Sequence, residues 1–370
     1  MDKSLIFHSV SNNQWGGQER RVFNECRWME ARGFTIALAT PADTPLNRKG
    51  REAGWQVWDM DFCNASMVND FLTLRRILKT HRPRVFNTHG NMDAKVGMLA
   101  ARGLDLPCVI LSRHITPAVR NTWFNRLIYR SPHYVFTTAD CTTAQLVRDL
   151  GVPSTQAFTV SSGIVPPSVL PGHEDARQAL ARNHCKGEDS RFIGYMGRLD
   201  PAKGMTDIIR AFGQISGQFP RHHLVLVGGS DDTRSVHELI GQLGLKERVI
   251  LPGFTDAPYA YYRAFDCKIL ASRENEGIAQ SILEAMYAGC PVIGTRVGGI
   301  PDVIEDGVTG LLVPPRDPQA IARALVTTLE DKEATQLRRG QAHDYIARHH
   351  TLEAMGQKIL ALMENYPPKP

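Results

Sequence analysis

A short apolar run, Leu5–Val10, leads into a turn carrying Gly16-Gly17. A helical stretch from about Gln18 to Ala31 follows, stopped by Gly33, and then a second apolar run, Thr35–Thr40. Strand, glycine turn, helix and strand in that order make a βαβ unit. Val85–Thr88 and Cys108–Leu111 read as further short buried strands, and Val135–Thr138 begins another unit whose helix ends before Gly151-Val152-Pro153. Prolines and glycines then concentrate in SSGIVPPSVLPGHED, which places a linker near 164–188. Beyond it the pattern restarts with Phe192–Met196, a turn at GRLDPAKG, a helix over Met205–Phe219 and a strand at Leu224–Val227. Val249–Leu251, Cys267–Ala271, Pro291–Gly294 and Leu311–Val313 continue the strands. Strands alternating with helices of this length imply parallel sheets covered on both faces.

The expected architecture is α/β, with two Rossmann-like, doubly wound parallel-sheet domains facing a central cleft. A chain of 370 residues exceeds what one hydrophobic core usually serves. The domains are placed at 1–166 and 187–345, with a helical tail over 346–370 that crosses back to the first. Loops at the carboxyl ends of the strands are where open α/β sheets bind ligands. No apolar run is long enough to span a membrane, and MDKSLIFHSVSNNQWGG lacks the apolar core of a secretory signal. The seven cysteines are scattered, with no CxxC, which argues against a disulfide framework or zinc knuckle and fits a reducing cytoplasm. His222-His223 and His349-His350 lack ligand spacing, so no metal site is expected.

The formal charge of +5 is unevenly spread. Residues 1–166 hold 20 Lys and Arg against 13 Asp and Glu, whereas the remainder holds 23 against 25. Leu106 to Ala139 contains no acid but four arginines: Arg113, Arg120, Arg126 and Arg130. Most such runs are solvated surface; the sharper expectation is a first half that faces an anionic acceptor or lipid surface. Val119, Trp123 and Leu127 fall at i, i+4 and i+8, a spacing that serves either a membrane-surface helix or a core-facing one. Arg120, Trp123, Arg126 and Arg130 are therefore the candidate acceptor or membrane residues.

The stretch SRENEGIAQSILEAMYAGCPVIGTRVGGIPDVI carries Glu276 and Glu284. On one helix they would stand about 12 Å apart along the axis, too far for the paired carboxylates of a glycoside hydrolase. Ser281-Ile282-Leu283-Glu284 also satisfies a capping-box pattern, so Glu284 reads equally as a cap or a ligand contact. Glu276 follows a strand, and the backbone N–H groups of Gly277, Ile278, Ala279 and Gln280 would open the next helix, a setting that suits an anion. In GRLDPAKG, Arg198 and Lys203 sit in one turn and can converge on a diphosphate, although such a pair is more often solvated charge. Gly16 and Gly17 permit close backbone approach to a ligand, or simply make a turn. Together these elements suit a nucleoside-diphosphate sugar.

The chain resembles glycosyltransferases of the GT-B fold, in the large retaining family 4. The resemblance rests on GGQER, GRLDPAKG and EGIAQSILEAMYAGCPVIGTRVGGIPDVIEDGVTGLLVPPRD, and spans nearly the whole chain. It implies that Glu276 is the donor-sugar glutamate, Glu284 its ribose-binding partner, and Arg198 with Lys203 the diphosphate clamp. Gly16 and Gly17 resemble the backbone beside the phosphate, and His114, in LSRHIT, the histidine near the reacting sugar. The implied chemistry is front-face substitution with retention, needing no cofactor or metal, on a nucleotide-sugar donor of which a UDP-sugar is the leading case. The implied acceptor is a glycolipid or saccharide, in bacterial lipopolysaccharide or cell-surface polysaccharide synthesis, with the protein cytoplasmic and peripheral at the inner membrane face. Where the family often reads EGFG this chain has Glu276-Gly277-Ile278-Ala279, a loop shaped for a particular donor. Asp59-Met60-Asp61 matches a metal-binding DxD and is read as a strand-end turn. Absence of GxGxxG and of a Gly-x-Ser-x-Gly elbow argues against a dinucleotide oxidoreductase and an α/β-hydrolase. A GT-B epimerase or phosphorylase, and a non-catalytic nucleotide-sugar binder, are the alternatives.

Overall fold

The computed structural model describes residues 4–184, 187–229, 233–274 and 276–364. It divides into two units: Met1–Gly163 with Leu352–Pro370, and Ile164–Thr351. In the first, β1 (Leu5–Ser9), α1 (Gly17–Glu30), β2 (Thr35–Thr40), α2 (Pro45–Glu52) and β3 (Gln56–Asp59) make one half. The other half runs through α3 (Met67–His81), β4 (Val85–Thr88), α4 (Asn91–Ala101), β5 (Cys108–Arg113), α5 (Trp123–Arg130), β6 (Tyr134–Thr137), α6 (Asp140–Leu150) and β7 (Ala157–Thr159). The strands pair in parallel in the order β3-β2-β1-β4-β5-β6-β7.

The second unit opens with α7 (His173–Asn183), followed by β8 (Arg191–Met196), α8 (Met205–Ile215), β9 (His222–Val227), α9 (Arg234–Gln242) and β10 (Val249–Gly253). Then come α10 (Pro258–Ala264), β11 (Cys267–Leu270), α11 (Gln280–Tyr287), β12 (Val292–Thr295), β13 (Leu311–Val313), α12 (Pro318–Glu330) and α13 (Lys332–His349). Its parallel sheet has the order β10-β9-β8-β11-β12-β13. The apolar runs are buried as expected of strands covered on both faces: Ile193, Leu224, Ile269 and Ile293 are fully buried in one continuous core.

The last helix, α14 (Leu352–Glu364), belongs to the first unit. Met355, Ile359 and Met363 bury into the cluster that holds Trp28 and Met29 of α1. Gly356 lies so close to the Trp28 indole that a Cβ there would come within 2.4 Å of the ring. Glu353 accepts from Trp28 Nε1 at 2.8 Å and from Arg32 at 2.7 Å.

Two expectations are corrected here. The segment 164–188 is not all linker, because Ala176, Leu180 and Ala181 form a buried stripe that makes α7 part of the second unit. The helical tail does not divide at 346: α13 continues to His349, and the chain passes to the first unit at Leu352. Residues 365–370 and Cys185 lie outside the described residues, and the other six cysteines are free thiols.

Candidate active site

In each sheet the strand order reverses direction once, between β1 and β4 and between β8 and β11. Connections leave to opposite sides there, opening a crevice at the carboxyl ends of the strands. In the second unit that point is framed by the loop after β8, which carries Gly197–Gly204, and the loop after β11, which carries Ser272–Ala279.

An ion pair joins these two loops. Lys203 Nζ lies 2.7 Å from Glu276 Oε2, with the glutamate side chain 8% exposed and the lysine 28%. The same oxygen accepts from Ser272 Oγ. Lys203 ends a 3-10 turn, Pro201–Lys203, that Asp200 caps by accepting from Ala202 N at 2.8 Å. Gly204 follows at φ 73° and lies so close to Ala271 that a Cβ would stand 2.0 Å from its carbonyl oxygen, so the two loops approach only because this residue is glycine. Gly298 is held likewise at φ 54°, where a Cβ would meet the Glu276 carbonyl oxygen at 1.8 Å. Arg198, with a side chain 75% exposed, donates to Asp200 Oδ2 at 2.8 Å. Arg198 and Lys203 therefore share one loop but hold different carboxylates.

Helix α11 begins at Gln280 with Ala279 as its N-cap and no side-chain cap. The capping-box reading of Ser281 and Glu284 fails, because both already lie inside the helix. The residues Gly277, Ile278 and Ala279 are loop rather than helix, so their N–H groups precede the first turn. Glu284, partly buried on α11, accepts from the hydroxyl of buried Tyr262 at 3.1 Å. Glu276 and Glu284 thus stand on separate elements, one on the loop and one on the helix that follows.

In the first unit, Gly16 caps α1 and its N–H donates to Glu19 Oε2 at 2.8 Å, so this donor is committed within the protein. Gly17 has no atom within 4 Å of where a Cβ would stand and faces open space. His114 directly follows β5, and its Nε2 lies 2.9 Å from Nδ1 of His89. The apolar spacing Val119, Trp123, Leu127 is not one helix face. Thr122 caps the helix by accepting from Asn125 N, and α5 starts only at Trp123, leaving Val119 in the preceding loop. Trp123 is 78% exposed, and Arg120, Arg126 and Arg130 are exposed. Trp123, Arg126 and Arg130 line a cavity of about 850 Å³ together with Met98, Leu104 and Val109. Asp59 is taken up by Asn47 and Arg51, at 2.8 and 2.7 Å, and those hydrogen bonds lower its pKa.

Four supporting groups carry little or no signal in the sequence. Glu19 is fully buried and also accepts from Asn12 at 2.7 Å; its one signal is the three-residue spacing from Gly16. Asp93 accepts from the backbone N–H of Ser11, His89 and Gly90, joining the loops after β1 and β4. Arg273 makes two 2.8 Å bonds to the carboxylate of Asp207, and its N–H reaches Ala202 O at 2.9 Å, bracing the Lys203 turn. Lys268, in the middle of β11, is fully buried, and its ammonium has no hydrogen-bond partner. Burial pulls its pKa down to about 8, against the opposing fields of Cys290, Glu284 and Glu276.

Two family models match the chain. Glycosyl transferases group 1 covers residues 176–343, and Glycosyl transferase 4-like domain covers 16–163. The D-inositol 3-phosphate glycosyltransferase of Corynebacterium efficiens is 30% identical over 227 residues, 59% of this chain and 53% of that protein. The chain thus spans about half the length of the curated relatives it matches. Among solved structures, a glycosyltransferase from Rickettsia africae ESF-5 superposes with a TM-score of 0.86 at 17% identity, covering 99% of both chains. Anabaena Alr3699/HepE in complex with UDP superposes at 0.81 and 19% identity, covering 97% of this chain and 99% of its own.

Proposed function

The chain belongs to the family 4 glycosyltransferases of GT-B fold, and on that premise we propose that it moves a sugar from a nucleoside-diphosphate sugar to a glycolipid or saccharide acceptor with retention of configuration. The observation that carries this reading is the Lys203–Glu276 pair at the switch point of the second unit, with Arg198 on the same loop and Glu284 on the helix that follows. A departing diphosphate gains charge in the transition state, and Arg198, Lys203 and the first turn of α11 are the cations and dipole that would stabilise it. Glu276 would orient sugar hydroxyls and Glu284 the ribose. The leaving phosphate would help deprotonate the acceptor, and Arg198 with Lys203 would do the charge-neutralising work of a metal cation. UDP is the leading nucleotide, supported by the UDP in the Anabaena neighbour.

The acceptor would dock on the first unit. Exposed Trp123 beside Arg126 and Arg130 supports an anionic amphiphile there, with the protein peripheral to the inner face of a bacterial membrane. Among the described residues no helix is long and apolar enough to cross a membrane. The leading context is lipopolysaccharide or cell-surface polysaccharide synthesis.

The test is nucleoside-diphosphate release from UDP-, GDP- and ADP-sugars, with and without EDTA and anionic vesicles carrying a crude bacterial glycolipid fraction. Release from one donor class that survives EDTA and rises with the vesicles is expected. Replacing Arg126 and Arg130 by Glu should abolish the rise while leaving release without vesicles unchanged. Loss of release in EDTA would return Asp59 and Asp61 as metal ligands, and an inverted product by NMR would overturn retention. Release independent of any acceptor sugar or lipid would favour an epimerase or, where it needs inorganic phosphate, a phosphorylase.

A further inference from the structure

Three adjacent strands of the first unit each bring a histidine to the sheet's switch point. His8 lies in β1, His89 directly follows β4, and His114 directly follows β5. Because the sheet runs β1-β4-β5, the imidazoles form one row. His8 Nδ1 lies 2.8 Å from His89 Nε2, and His89 Nδ1 lies 2.9 Å from His114 Nε2. The rings stack, with centroids 5.1 and 5.2 Å apart. Asp93 fixes the middle of the row by accepting from the His89 backbone N–H at 2.8 Å. The two outer nitrogens, His8 Nε2 and His114 Nδ1, are buried with no hydrogen-bond partner.

Burial keeps the row uncharged. It draws His8 down to about 4 and lowers His89 and His114 well below the ordinary histidine range, with Arg21 of α1 adding to the effect on His89 and His114. A neutral imidazole has one N–H, and His89 must accept at one nitrogen and donate from the other. Only two arrangements satisfy both contacts: every proton on Nδ1, or every proton on Nε2. The second leaves an N–H without an acceptor at His8, the deep end of the row. The first leaves a lone pair there and places the unpaired N–H on His114, at the carboxyl end of β5. An orphaned N–H costs most where burial is deepest, and His8 is 1% exposed whereas His114 is only partly buried, so the first arrangement wins even before a ligand supplies the acceptor.

We propose that His8 and His89 are positioning residues that lock His114 as its Nδ1–H tautomer, so that it donates a hydrogen bond to an oxygen of the sugar substrate. This rests on the glycosyl-transfer reading and names two residues that act through a third. Free imidazole has no such constraint, and the tautomer of a histidine is set by what its other nitrogen does.

The test uses the full chain labelled with 15N-histidine and long-range 1H–15N correlation, which reports which ring nitrogen carries the proton. His8, His89 and His114 are expected to show Nδ1–H with Nε2 bare, without addition of any ligand or need of turnover. An Nε2–H or doubly protonated form at any of the three would overturn the lock. His89→Gln retains one acceptor and one donor and should keep His114 in the Nδ1–H form with kcat near the parent's. His89→Phe retains the stacked ring but severs the row, and kcat should fall roughly tenfold or more, the scale on which outer-shell partners act. His8→Phe cuts the row at its far end and should let His114 populate the Nε2–H form as well. Equal kcat in the Gln and Phe variants of His89 would also overturn the proposal. Failure of all donors to turn over would instead sink the transfer reading, with the tautomer spectrum still deciding the lock.

Discussion

Lys203→Ala is expected to lower kcat by about two to three orders of magnitude, the cost of removing one donor aimed at developing charge. The lysine is positioned for that role by three features that converge on it. Asp200 caps its turn, Gly204 lets the turn approach Ala271, and Arg273 pins Ala202 by the backbone. Its ammonium lies 2.7 Å from Glu276 Oε2, which also accepts from Ser272. Loss of the lysine leaves that oxygen with the serine as partner, so unfolding free energy should drop by only about 1–3 kcal/mol. The comparison of kcat with a denaturation curve separates the two effects. A variant that unfolds readily but turns over normally would make the pair a brace and remove Lys203 from the chemistry.

Lys268→Met is expected to stabilise the second unit by about 3 kcal/mol at neutral pH. Burial takes the lysine pKa from 10.5 to about 8, and a tenfold change in proton affinity is worth about 1.4 kcal/mol. Lys268 is fully buried, and its Nζ has no hydrogen-bond partner, so methionine fills a similar volume without the charge. The pH dependence follows from the direction in which burial moves the amine. Below pH 8 both folded and unfolded chains carry the proton, and the folded state bears the full cost of the buried charge. Between pH 8 and 10.5 the folded amine is neutral while the unfolded one is still protonated, so the cost diminishes. Above 10.5 both are neutral and it vanishes. The advantage of the methionine variant should therefore be constant below pH 8 and shrink as pH rises toward 10.5. A methionine variant no more stable than the parent at neutral pH would show that the ammonium is solvated or paired. The same cation stands in the field of Glu276 and Glu284, so a stability gain accompanied by weaker donor use would make it a charge retained for the site.

Most of the fold is legible because parallel strands buried on both faces leave unbroken apolar runs. Thr35–Thr40, Val85–Thr88 and Leu311–Val313 are read from such runs alone, and the run Leu5–Val10 contains the strand Leu5–Ser9. The strands that escape such a reading, β3 and β7, are the sheet's two outer members, short and only partly buried, so their sequences carry little apolar signal. Helix α7 is hidden by the prolines and glycines before it. At the site, the loops are visible as glycine-rich turns after strands, but their connection is not. Lys203 and Glu276 are 73 residues apart, and no spacing predicts a 2.7 Å contact across that distance. The histidine row is equally silent, since positions 8, 89 and 114 become neighbours only through the strand order. Lys268 is visible, as a lysine inside the apolar run Cys267–Ala271, but a strand's register on its neighbours is needed to see that its amine stays inside.

The most direct test of the account is calorimetric titration of UDP, GDP and ADP into the parent chain and into Glu284→Ala. Saturable binding of one nucleoside diphosphate to the parent is predicted, weakened roughly tenfold to a hundredfold by the substitution, the worth of a hydrogen bond to a charged group. No saturable binding of any of the three, or an affinity unchanged in Glu284→Ala, would contradict the claim that the loops after β8 and β11 and the helix α11 hold a nucleoside-diphosphate sugar.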